Sequence, residues 1–104
     1  MSQPVWKLVI VAEEILHSKL VKLVKDAGAT GYTVMPAGGE GSRNVRSTGD
    51  PVVSHKLANI KFEVLIGSRV LVDEIVRQIE QKFYADYSII TYVSQVEALR
   101  EHEF

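Results

Sequence analysis

The sequence contains no cysteine. Disulfides, thiol nucleophiles and thiolate metal sites are therefore excluded, and the absence fits the reducing cytosol. Long apolar runs are missing too. The longest, residues 8–12, is far short of the ~18 residues that a transmembrane helix needs. The first 20 residues hold Glu13 and Glu14 and show no basic segment followed by a long apolar one, so no secretory leader is expected. Charge of one sign is not in excess: 12 basic and 13 acidic residues leave a formal net charge of −1. That balance argues against a protein held on the phosphates of a nucleic acid, or on a membrane by a polybasic anchor. Histidines are few and scattered. His17, His55 and His102 form no HxH or HExxH spacing, so no metal site is expected. No short-period repeat and no Ser-His-Asp arrangement is suggested by spacing.

What is present is ordinary for a folded chain: 104 residues, 46% apolar and 24% charged. That length fits one domain, spanning 1–104, which buries roughly 65% of its unfolded surface. Residues 7–12 are apolar at both parities, the pattern of a strand covered on both faces. Leu16, Leu20, Leu23, Val24 and Ala27 follow helical spacing, and Gly28 suits the left-handed stop beyond them. Residues 31–36 read as a second strand. Residues 59–66 alternate cleanly and make a third. Val72, Ile75, Val76, Ile79 and Phe83 form the stripe of a second helix, and residues 88–94 a fourth strand. Residues 96–100 suit either a short terminal helix or an extra edge strand. Trp6 reads as packing at a strand end, and Glu13-Glu14 and the Glu101/Glu103 tail as solvated charge.

This order predicts an α+β, ferredoxin-like βαββαβ fold with two helices on one face of an antiparallel sheet. The strands that are apolar at both parities then need cover for the second face. A closed homo-oligomer supplies it, and a trimer with three sheets facing an axis fits.

Between 38 and 57 regular periodicity disappears. Four of the seven glycines stand there, with Pro51 and several Ser, Thr and Asn. Compact domains have connections of about 4–6 residues, and longer ones are often functional. The segment is neither a Walker A nor a GxGxxG motif. It offers glycines, Ser42, and the guanidinium groups of Arg43 and Arg46. Glycine lets a backbone N–H approach an anion, and arginine grips phosphate oxygens bidentately. This chemistry suits a mononucleotide phosphate. A solvated loop whose arginines bind nothing reads equally well from spacing alone, with Ser47, Thr48 and Ser54 as turn formers or phosphorylation sites.

The block 41–49, GSRNVRSTG, is the specific part of a wider likeness that also takes in 7–11, 31–34, 59–65, 86–88 and 96–99. On these residues the chain resembles the SbtB family of PII-like signalling proteins, found mainly in cyanobacteria. The resemblance implies a homotrimer that binds adenine nucleotides in clefts between subunits: AMP, cyclic AMP, ADP, ATP and, in some members, cyclic di-AMP. Ser42, Arg43 and Arg46 would hold phosphate, and Gly41 would give backbone approach. Gly31, Thr33 and Asn59 would lie near the nucleoside, and Tyr87 and Ser88 near the base. The segment 38–57 would be the T-loop, and the partner the sodium-dependent bicarbonate transporter SbtA of the carbon-concentrating mechanism. The protein would be cytoplasmic and peripheral to the membrane when docked.

Two departures from the family pattern carry expectations. Some relatives have an Ala-Gly-like pair where this chain has Ser88-Ile89, so Ile89 is expected to shift the backbone contact to adenine. Many members extend into a Cys-flanked hairpin tied to redox control and nucleotide hydrolysis, and this cysteine-free sequence is expected to lack that switch.

Ordering about 20 loop residues costs roughly 20–40 kcal/mol. Three or four charge-assisted bonds return only about 5–12 kcal/mol. A nucleotide is thus expected to order 41–46 and leave 47–56 for a protein partner. Two rivals stand beside the sensor reading: an ATP/ADP phosphohydrolase using the same cleft, and a structural trimer with a passive loop. RNA binding is disfavoured, because 59–65 lacks the basic aromatic block that ferredoxin-like RNA binders need.

Overall fold

The computed structural model describes residues 3–38 and 58–99. Its elements in chain order are β1 (Gln3–Glu13), a 3₁₀ turn (Glu14–Leu16), α1 (His17–Asp26), β2 (Thr33–Ala37), β3 (Asn59–Ile66), α2 (Arg69–Phe83) and β4 (Ile89–Ala98). All strand pairs are antiparallel and the sheet order is β2-β3-β1-β4. This is the ferredoxin-like fold expected from the sequence.

Parity divides the sheet into two faces. Leu8, Ile10 and Ala12 of β1 and Ile60, Phe62, Val64 and Ile66 of β3 share one core with Leu20, Leu23 and Val24 of α1 and Val72, Ile75 and Ile79 of α2. Phe62 is fully buried at its centre, with the rings of His17 and Tyr32 at 5.9 and 5.6 Å. The opposite parity of β1 faces away from the helices. There Val9 stands between Glu63 and Tyr92, and Val11 between Lys61 and Ile90. Val5 and Val9 are each only 1% exposed, yet Met35, Ile90 and Tyr92 on the same face are 36, 38 and 49% exposed. Val9, Val11, Ile90 and Tyr92 thus form an apolar patch on this second face, beside the Lys61–Glu63 ion pair of β3 at 3.6 Å.

Helix ends follow local chemistry. Ser68 caps α2, its hydroxyl accepting the Leu71 N–H at 3.3 Å. Beyond α1, Gly28 takes φ +104°. Its N–H reaches the Lys25 carbonyl and the Ala29 N–H the Val24 carbonyl, which is a Schellman closure.

Some boundaries differ from the sequence reading. β2 starts at Thr33 rather than 31, and α1 follows a 3₁₀ turn. β4 runs on to Ala98 because β1 is long enough to pair with it there, Gln3 opposite Ala98 and Val5 opposite Val96. Residues 96–98 thus extend the fourth strand and form neither a helix nor a separate edge. Trp6 is half-buried against the core, and the Arg69 guanidinium lies 5.0 Å from its ring centroid.

Candidate functional site

One end of the sheet gathers most of the chemistry. β2 and β3 meet there as Ala37 opposite Asn59, so the segment 38–58 departs from and returns to adjacent positions. β1 ends beside them, Glu13 opposite Asn59. The Glu14 N–H donates to the Ala58 carbonyl at 3.1 Å, tying the returning segment to β1. On the other side of β1, the Ser88 N–H donates to Glu13 Oε2 at 2.7 Å just before β4 begins. Tyr87 precedes it, half-buried, with its N–H on the Phe83 carbonyl at 3.0 Å and its ring edge-on to Phe83.

Glu13 corrects the sequence reading. It is 1% exposed, not solvated. Its parity with Val9 and Val11 places it on the second face, and that pattern is legible in the sequence. What is not legible there is that β4 starts close enough to use its carboxylate. The Ile89 side chain is 2% exposed, within the helix-side core.

The predicted site residues fall into three groups. Asn59 and Ser88 lie at the end just described, Asn59 half-buried and Ser88 7% exposed. Gly31 and Thr33 are exposed on or beside the outer strand β2, with open space around Gly31. Thr33 opposes Glu63, four residues along β3 from Asn59. Gly41, Ser42, Arg43 and Arg46 lie outside the described residues.

Sheet geometry separates the first two groups. β2 and β4 are the two edges of the sheet, and three strand spacings put them roughly 14 Å apart. Gly31 and Thr33 on one edge and Tyr87-Ser88 on the other cannot both border one small ligand within a single chain. A second copy that brings its β2 edge to the β4 end of the first can unite them. Tyr92, Ile90 and Met35 on the second face supply apolar surface for such an approach.

A groove of about 290 Å³ lies elsewhere, between α1 and α2, lined by residues that include Lys19, Lys22, Leu23, Lys82 and Phe83. None of the predicted site residues lines it. Lys22 is engaged by Asp26 at 2.7 Å, and its pKa is raised by that hydrogen bond. Among the described residues, no cluster of three or more His, Asp or Glu is placed to hold a metal.

Residues 5–103 match the family model described as nitrogen regulatory protein P-II. A protein of Thermus thermophilus, described as PII-like signalling, is 36% identical over 95% of this chain and 93% of its own, with a TM-score of 0.75. CPII of Thiomonas intermedia, a nitrogen regulatory PII-like protein, is similar in fold. Its structure with ADP, AMP and bicarbonate is 23% identical over 98% of this chain and all of that one, with a TM-score of 0.76. Its structure with ADP and bicarbonate matches over 96% and 93%, at 23% identity and a TM-score of 0.77.

Proposed function

Since the chain belongs to the nitrogen regulatory protein P-II family, whose members are typically non-enzymatic signalling homotrimers that bind small nucleotides, we propose that it is an adenine-nucleotide sensor of the SbtB type. AMP, cyclic AMP, ADP or ATP occupies clefts between subunits of a homotrimer. One subunit offers Gly31 and Thr33 from its β2 edge. Its neighbour offers Asn59, Tyr87 and Ser88, together with Gly41, Ser42, Arg43 and Arg46 for the phosphates. The single domain 1–104 presents 38–57 as the T-loop. That loop regulates the bicarbonate transporter SbtA from the cytoplasmic side of the membrane.

One observation carries this reading. Gly31 and Thr33 stand at one edge of the sheet and Tyr87 and Ser88 at the other, flanking a face on which Val9, Val11, Ile90 and Tyr92 form an apolar patch. Capture of ADP and AMP by the Thiomonas protein, whose fold this chain shares, supports the ligand class.

Titration calorimetry with AMP, cyclic AMP, ADP and ATP tests it. Saturable binding is expected for at least one of them. Arg43→Ala and Arg46→Ala should each cost about 1.5–3 kcal/mol of affinity, because each removes charge-assisted bonds to phosphate. Absence of binding by the wild-type chain, or undiminished binding by the double variant, overturns the sensor reading. Incubation with ATP and Mg²⁺ should release no AMP. Pull-down of SbtA that responds to the bound nucleotide tests the partner.

A further inference from the structure

Glu13 is the charged side chain that falls in the buried class among the described residues. Burying a carboxylate is costly unless hydrogen bonds compensate it. Here one oxygen receives the Ser88 N–H at 2.7 Å, a short charge-assisted bond. Its position in the ladder explains the arrangement. The β1–β4 pairing ends at Ala12 opposite Ile89. Past that rung Glu13 still pairs with Asn59 of β3, and the 3₁₀ turn begins at Glu14. The Glu13 side chain then serves the next N–H of the β4 side in place of a main-chain carbonyl.

The segment before β4 is thereby held from two directions. The last turn of α2 holds it through the Phe83 carbonyl, which receives the N–H groups of Asp86 and Tyr87 at 3.1 and 3.0 Å. Glu13 holds it from the sheet. We propose that Glu13 is a positioning residue of the nucleotide site, fixing the backbone at Tyr87-Ser88 in the shape that receives the ligand. The role rests on the reading above that these two residues border the base. A pre-set backbone spares the ligand the ordering cost, so loss of the anchor appears as lost affinity.

The test uses the full chain and AMP, with ADP as a second ligand, in calorimetry of Glu13→Ala, Glu13→Asp and Glu13→Gln. Asp keeps the charge but withdraws the oxygens by one methylene; Gln keeps the reach and a carbonyl acceptor. Ala and Asp are expected to weaken binding about tenfold or more, the range for a lost bond to a charged group. Gln should lose less than either. In ¹⁵N–¹H spectra the Ser88 amide should move upfield in Ala and Asp and stay nearer its wild-type place in Gln. The Asp and Gln pair keeps the comparison meaningful if Glu13→Ala fails to fold. Wild-type affinity in folded Ala or Asp variants overturns the positioning role alone. Equal losses in Asp and Gln with an unmoved Ser88 amide overturn it as well. A wild-type chain that binds neither ligand overturns the nucleotide reading, and this role falls with it.

Discussion

Phe62 shows how much one side chain can hold. It is fully buried, central to β3, and touches rings from α1 and from the residue before β2. Truncation leaves a cavity that neighbours fixed in a sheet cannot close. Phe62→Ala should therefore destabilise the chain by about 3–5 kcal/mol, measured by denaturant unfolding. Gly28 matters for the opposite reason. Open space surrounds it, so the constraint is its positive φ and not crowding. Surface ion pairs such as Arg69–Asp73 at 3.0 Å add little, being exposed and within one helix. Arg77 and Glu74 form another. The hydrogen bond from Arg77 is the main reason that the Glu74 carboxyl lies below its ordinary pKa.

At the scale of elements, caps and ladders decide the boundaries. Ser68→Ala removes the acceptor of the Leu71 N–H, and should cost about 1 kcal/mol of stability in thermal or denaturant melts. The same scale shows what is legible in the sequence. β3 can be read there almost to the residue, because its period-two alternation is complete and one face meets the helices. α2 is equally clear from its stripe. Residues 96–98 are ambiguous because their pattern depends on a partner, β1, far away in sequence. Glu13 misleads for the same reason. Its burial depends on Ser88, 75 positions on, and no local pattern records such a contact. Gly31, Thr33, Asn59, Tyr87 and Ser88 emerge through a family likeness; only the sheet order shows that Gly31 and Thr33 stand at one edge, Tyr87 and Ser88 at the other and Asn59 on a strand between them.

For the whole molecule, the second sheet face sets the expectations. Ile90→Glu combined with Tyr92→Glu changes exposed positions, so each chain should still fold, while charges on the apolar face oppose association. Light scattering should then report a single chain in place of a trimer. Complementation tests the shared cleft more directly. A chain damaged at Thr33 and a chain damaged at Arg43 and Arg46 should each bind AMP weakly. Refolded together, they should recover binding where an intact β2 edge meets an intact arginine pair. Mixtures that recover nothing contradict a site built from two subunits.

The pairing of Ala37 with Asn59 has one more consequence. Because the sheet itself holds the two ends of the connection at neighbouring positions, the residues between them are not needed to bring those ends together. Doubling the length of such a loop adds only about 0.6 kcal/mol of closure entropy. Insertions, deletions and exchanges of the intervening residues are therefore cheap for the scaffold. One sheet can accept new segments at this position, by natural drift or by grafting, while keeping the rest of its architecture unchanged.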